Sequence, residues 1–261
     1  MNQNTSVQSK WIVQPKPNGN AKLRLFCFPY AGSSAVVTYK YFVDNLPEFV
    51  EVCPVELPGR GTRMGEKLID NIEEILARIT ENIGSYLDKP FVFFGHSMGA
   101  LISYELTKKV KDKYNACPQK LYISAHKAPF LERGGPIMHK LERESFVNEL
   151  KKMNGIANEL LEHTELMDLM IPIIKNDYAV CENYTYQGKE KINVPITAFG
   201  GRYDKDIHEN DLIKWAEVTN HDFNHYLIEG DHFFITKEKE NFIKLFTNIL
   251  AHDNAKIINQ K

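Results

Sequence analysis

Ser97 stands in Gly95-His96-Ser97-Met98-Gly99, a G-x-S-x-G run whose small flanking residues leave room for a sharp backbone turn. A serine hydroxyl is a weak nucleophile until a base takes its proton and an acid orients that base. Of the nine histidines, His232 falls in Glu229-Gly230-Asp231-His232-Phe233-Phe234, a turn between an apolar run and a helical one, from which a loop can reach over Ser97. His96 adjoins the serine and points away from its hydroxyl, while His126 and His139 precede every candidate acid. His208, His221, His225 and His252 fall on a helix, a polar loop, a strand and the polar tail. Asp204 is the first carboxylate after the Gly200-Gly201 turn and is the favoured acid. Asp206 also suits the cap of a helix over 207–219, and Asp231 adjoins the histidine, where neighbouring side chains seldom meet. Acyl transfer further requires donors for a developing oxyanion. The Met98 N–H, directly after the serine, is one, and the Ala31 N–H in Pro29-Tyr30-Ala31-Gly32-Ser33-Ser34 is the other. A helix cap by Ser33 or Ser34 accounts for the same loop equally well.

These residues need a rigid frame. Residues 90–94 read as a buried strand and 100–106 as the start of a helix, which gives the strand–turn–helix context a reactive serine requires. Short apolar or β-branched runs recur at 23–28, 50–57, 91–94, 121–125, 194–199 and 225–228. Helical stripes separate them, the clearest being Ile72, Ile75, Leu76, Ile79, Ile83, Tyr86 and Leu87. Apolar strands alternating with helices predict an α/β fold, a mostly parallel sheet covered on both faces. Ligands of such sheets bind beyond the carboxyl ends of the strands, where Ser97 falls. Serine, acid and histidine in that chain order predict an α/β-hydrolase fold in one domain spanning 1–261. The alternation breaks between 125 and 194, where helix-like segments cover 142–153 and 157–184, the second interrupted by Pro172. An insertion at about 130–190 is expected to form a lid above the site, with an ordinary packing helix pair as the plainer alternative.

Charged residues make up 25% of the chain and balance to a net charge of −2, which gives no footing for nucleic acid or a membrane surface. No run approaches the ~18 apolar residues of a membrane-spanning helix. Residues 1–10 are polar throughout and do not read as a signal peptide. The four cysteines lie far apart, and Cys27 and Cys53 fall in strand-like runs as reduced core thiols. A cytoplasmic monomer without metal or cofactor is expected.

Taken together, the motifs resemble a specific family, the type II (external, editing) thioesterases that accompany non-ribosomal peptide and polyketide synthases. Residues 25–32 are similar to that family's oxyanion loop, and Pro58-Gly59-Arg60-Gly61-Thr62-Arg63 to its P-G-R-G-x-R signature. Residues 94–100 match its elbow, 124–129 its strand end before the lid, and 230–234 its histidine loop. Met153-Asn154-Gly155-Ile156-Ala157 and Lys175-Asn176-Asp177 depart from its G-G-T-P-like and R-A-D-like stretches. The resemblance implies a Ser97–Asp204–His232 triad that hydrolyses stalled or wrong acyl groups from the phosphopantetheine arm of acyl or peptidyl carrier proteins. Lys127, Arg133, Lys140, Arg143, Lys151 and Lys152, against Glu132, Glu142, Glu144 and Glu149, make a weakly basic stretch that could receive an acidic carrier, or a solvated helix surface. A carboxylesterase or lipase of the same fold is the nearer rival reading, and a non-catalytic binding protein the farther one.

Replacing Ser97 by Ala is expected to remove nearly all hydrolysis with the fold intact. A fluorophosphonate should label the native protein and not the variant; labelling that persists at another serine contradicts the assignment.

Overall fold

Five of the apolar runs become strands buried along their whole length. In the computed structural model, which describes residues 9–153, 163–188 and 190–259, six strands form one sheet: β1 (Leu23–Phe28), β2 (Val50–Pro54), β3 (Phe91–His96), β4 (Leu121–Ser124), β5 (Ile196–Gly201) and β6 (Phe223–Ile228). Every neighbouring pair is parallel, in the order β2-β1-β3-β4-β5-β6. Successive side chains of β1 and β3 enter opposite layers. Phe26, Phe28, Phe91 and Phe93 join one core, and Leu25, Cys27, Val92 and Phe94 the other. Cys27 and Cys53 are free, buried thiols, and burial pushes the Cys53 thiol up to about 12. Only β6, at the edge, alternates between half-buried and exposed.

Helices α1 (Ala35–Thr38) and α2 (Lys40–Asn45) follow β1. Helix α3 (Ile72–Ile83) carries the expected stripe inward and is capped by the Asn71 side chain, which accepts the Glu74 N–H at 3.1 Å. Helix α4 (Met98–Tyr114) starts directly after Ser97 and ends at Asn115 in the left-handed region. The apolar residues of α3 and α4 pack on the Phe26–Phe93 face. Phe42 of α2 and Phe242 and Phe246 of the closing helix Lys239–Asn259 pack around Phe94 on the other. The chain leaves β1 toward β2 in one direction and passes back across to β3 in the other. In open parallel sheets such a reversal marks where ligands bind, here beyond the carboxyl ends of β1 and β3.

Between β4 and β5 lie a 3-10 turn (Met138–Lys140), α5 (Arg143–Lys152) and a long helix, Thr164–Glu182. They share a small core of Met138, Phe146, Leu150, Met167, Ile171, Ile174 and Tyr178. The long helix runs through Pro172 instead of being interrupted there. Pro172 is exposed, while Ile171, Ile173 and Ile174 are anchored in packing. Residues 157–162, the start of the second expected helix, lie outside the described residues. The single helix expected over 207–219 is a short one, Glu209–Ile213, followed by a 3-10 turn, Lys214–Val218.

A Cβ on Gly99 would lie 2.2 Å from the Phe28 carbonyl oxygen and 2.8 Å from that of Pro29, so backbone would have to move. Gly99→Ala is therefore expected to cost about 1–3 kcal/mol and lower Tm by about 3–10 °C. Gly65→Ala, where a Cβ meets nothing within 4 Å, should leave Tm nearly unchanged in the same melts.

Candidate active site

Ser97 joins β3 to α4 at φ 53° and ψ −118°, a conformation that costs a residue with a side chain roughly 1–3 kcal/mol. Its N–H donates to the Ser124 carbonyl at 2.8 Å and its carbonyl accepts from the Ala100 N–H at 2.9 Å. A Cβ on Gly95 would stand 2.1 Å from the Gly99 carbonyl oxygen. Both glycines of the pentapeptide therefore serve close backbone approach, one within the turn and one against the end of β1. The Ser97 side chain does not cap α4. Met98, the first residue of α4, carries one of the N–H groups that a helix start leaves without an internal acceptor, at the positive end of the dipole.

Of the three candidate acids, Asp204 is the one bonded to His232. Its Oδ2 lies 2.7 Å from His232 Nδ1, and its Oδ1 accepts the Asp206 and Ile207 N–H groups at 2.9 and 3.1 Å. Burial pushes this carboxyl up, but the His232 hydrogen bond, the His232 charge and the two N–H groups outweigh it and hold it below the usual carboxylate range. An ionised carboxylate only accepts, so Nδ1 donates and Nε2 is left as the proton acceptor. Asp206 is exposed and caps nothing, because Asp204 itself receives the turn's N–H groups; the helix behind is capped at His208, whose N–H donates to Asp211 at 3.0 Å. Asp231 is also engaged elsewhere, accepting the Phe233 N–H at 2.9 Å and facing Lys237 at 2.7 Å.

Gly201 does not make a left-handed turn. Its role is contact: a Cβ there would lie 2.3 Å from the Asp231 carbonyl oxygen. Around it the acid loop is stitched to the histidine loop, the Arg202 N–H donating to the Ile228 carbonyl at 2.8 Å and the Tyr203 N–H to that of Gly230 at 2.9 Å. Gly230, at φ +124°, is the glycine whose backbone freedom the turn uses.

The His232 ring sits 5.4 Å from that of His96, the residue before Ser97. His96 is fully buried with Nδ1 2.8 Å from the Ser124 hydroxyl, and burial, followed by the nearby His232, drives its pKa well below the imidazole range. Burial lowers His126 to about 4. Both are neutral at physiological pH, and His139 pairs with Glu182 at 2.5 Å within the insertion. Tyr30 packs edge-on against His96 and Phe233 at 5.6 and 5.4 Å, so three loops meet beside Ser97.

In the 29–34 loop, Ser33 donates its hydroxyl to the Tyr30 carbonyl at 2.8 Å, and Ser34 caps α1 by accepting the Val37 N–H at 3.4 Å. The Gly32 N–H, and not that of Ala31, donates to Asp177 Oδ2 of the long insertion helix at 2.7 Å. Asp177 is fully buried and ion-paired with both terminal nitrogens of Arg60, Nη2 lying 2.8 Å from Oδ1. Glu56, equally buried, accepts the Val36 N–H at 3.1 Å, and Arg63 donates to the Glu56 carbonyl at 2.7 Å while lying 4.2 Å over the Trp11 ring. Sequence reasoning assigned no role to Arg60, Asp177 or Glu56. The available signal was ionisable residues set among apolar and glycine neighbours in the P-G-R-G-x-R and Lys175-Asn176-Asp177 stretches. Among the described residues no group of three His, Cys, Asp or Glu side chains is arranged to hold a metal ion, and no helix is long and apolar enough to cross a membrane.

Residues 23–251, which contain Ser97, Asp204, His232, Arg60 and Asp177, match the family model of the thioesterase domain. The chain belongs to the thioesterase family. This thioesterase is 38% identical over 239 residues to the gramicidin S biosynthesis protein GrsT of Aneurinibacillus migulanus, covering 92% of this chain and 93% of that one. Among solved structures it is similar to the type II thioesterase BorB from the borrelidin biosynthetic cluster, at 30% identity and a TM-score of 0.83 over 94% of this chain and 97% of that one. It is also similar to ClbQ from the colibactin NRPS/PKS pathway, at 28% identity and a TM-score of 0.84 over 90% and 99% of the two chains. The all-parallel sheet and these neighbours bear out the expected α/β-hydrolase architecture, and the chain is an enzyme that hydrolyses thioesters.

Asp204→Asn should lower turnover by about two to four orders of magnitude by disfavouring the required tautomer and the imidazolium formed during attack. Asp206→Asn, at an exposed carboxylate that holds no N–H group, should cost little. Hydrolysis by both variants, with melts to establish folding, decides; an active Asp204→Asn beside a dead Asp206→Asn would move the acid two residues on.

Proposed function

We propose that this thioesterase removes stalled or aberrant acyl groups from the phosphopantetheine arm of carrier proteins in non-ribosomal peptide or polyketide biosynthesis. In this reading Ser97 is the nucleophile, His232 the base, Asp204 its orienting acid, and the Met98 and Ala31 N–H groups the oxyanion donors. The observation that carries it is the Asp204–His232 hydrogen bond beside a serine held in a strained elbow at the carboxyl end of β3. Kinship with a gramicidin S biosynthesis protein and with a type II thioesterase of a biosynthetic cluster supports the substrate class.

The chemistry runs in two halves. Ser97 Oγ attacks the thioester carbonyl carbon as His232 Nε2 takes its proton, and the negative charge that gathers on the carbonyl oxygen is met by the two N–H groups. The C–S bond breaks, the thiolate leaves with the proton from His232, and the acyl group stays on Ser97. Water then attacks the acyl-enzyme, His232 again taking the proton, and collapse returns the Ser97 hydroxyl and releases a carboxylic acid. No cofactor enters these steps; the long arm belongs to the carrier.

The reading treats the chain as one α/β-hydrolase domain, cytoplasmic and monomeric, with residues 130–190 as a lid over an acyl channel. A thioester on a long flexible arm suits such a channel, and the exposed Lys151 at the end of α5 offers a positive charge to an acidic carrier, while Arg143 and Lys152 are paired with Asp168 and Glu149. Hydrolysis of acetyl- and longer acyl-carrier proteins, measured beside the matching coenzyme A thioesters and nitrophenyl esters, tests the substrate class. The carrier thioesters should be preferred; faster turnover of free esters would favour the carboxylesterase reading.

Met170, half-buried at the margin of the insertion core, tests the lid. Met170→Trp should shift chain-length preference more than it changes attack on a small ester. Equal losses on all substrates would remove that role from the insertion.

A further inference from the structure

The loop between β1 and α1 reaches the insertion through a contact 145 positions away in sequence, the Gly32 N–H on Asp177 Oδ2 at 2.7 Å. Tyr30 to Ser34 are only half-buried, and within the loop the Ser33 N–H donates to Tyr30 at 3.1 Å, a bond that closes the turn without anchoring it. Gly32 sits at φ +80°, and glycine there leaves the backbone free to rotate. Tyr30 at the start of the loop packs on His96 and Phe233, and at Gly32 the anchor comes from the long helix at two points one turn apart. Asp177 takes the N–H, and the Ile174 side chain lies so close that a Cβ on Gly32 would come within 2.6 Å of its Cγ1. Asp177 can be buried there as a charge because Arg60 meets both of its oxygens.

We propose that Asp177 is a positioning residue for the oxyanion loop: it holds the Ala31–Gly32 peptide so that the Ala31 N–H faces the oxyanion only while the insertion helix is seated. The preceding peptide, which bears the Ala31 N–H, turns with the one that Asp177 grips. A seated helix thus completes the site, and an unseated one leaves Ser97 with the Met98 N–H alone. The inference rests on Ser97 as nucleophile and Ala31 as donor.

The full-length enzyme is assayed as Asp177→Ala and Asp177→Asn, with kcat and KM on a short acyl thioester and Ki for an acyl trifluoromethyl ketone, whose adduct on Ser97 bears an oxyanion. Fluorophosphonate titration counts active sites. Asp177→Ala should lower kcat about 10- to 100-fold and raise the ketone Ki by a similar factor, with KM changed less than about threefold and one site still titrated per chain. Asp177→Asn keeps the shape but turns an amide toward Arg60 or Gly32, and should move kcat and Ki together by about 3- to 10-fold. Should the alanine variant fail to fold, the asparagine variant decides. A folded variant with kcat lowered and Ki unmoved, or with neither moved, overturns the positioning role alone. An unaltered enzyme that the ketone does not inhibit overturns the Ser97 reading and this proposal with it.

Discussion

The site is organised by the approach of α4 to the end of β1. Gly99 lies so near the Phe28 carbonyl that no side chain fits between them, and the same carbonyl accepts the Tyr39 hydroxyl at 2.5 Å. This contact sets the serine turn beside the loop that leaves β1, at the one place where the strand order reverses. From it follow the strain at Ser97, the position of the first α4 N–H groups, and the nearness of Tyr30 to the histidine loop. A second contact of the same kind, Gly201 on the Asp231 carbonyl, brings the acid and histidine loops together. Four glycines thus do their work by lacking a Cβ in crowded places, two in the pentapeptide for backbone approach, one against the histidine loop and one under Ile174.

Electrostatics then assigns the histidines. His96 and His126 are kept neutral mainly by burial, so neither places a positive charge beside His232. Of His96, His126 and His232, only His232 has a carboxylate on Nδ1, and that carboxylate is steadied by two backbone N–H groups on its other oxygen.

Much of this was legible in the sequence, for identifiable reasons. Five of the six strands declare themselves because a sheet buried on both faces leaves mostly apolar runs, while β6, half-exposed at the edge, shows only its last residues as one. Ser97, Asp204 and His232 could be singled out because the proposed chemistry restricts residue type, order and place after strand ends, and of these Asp204 and His232 are hydrogen-bonded. Long-range compensation was not legible. Pro172 looks like a helix end until the packing of its isoleucine neighbours is known. Asp206 looks like a cap until Asp204 is seen to take its N–H groups. Arg60 and Asp177, 117 positions apart, meet only in the folded chain, so the spacing within either stretch does not show their buried ion pair.

The central claim is that acyl groups pass from a carrier arm through Ser97 to water. Rapid-quench mass spectrometry of the enzyme mixed with an acyl-loaded carrier protein tests it most directly. The account predicts a transient adduct of the acyl mass on the peptide containing Ser97, formed before the free acid and decaying at the rate the acid appears. Free acid released with no adduct at Ser97, or an adduct on another residue, would contradict it.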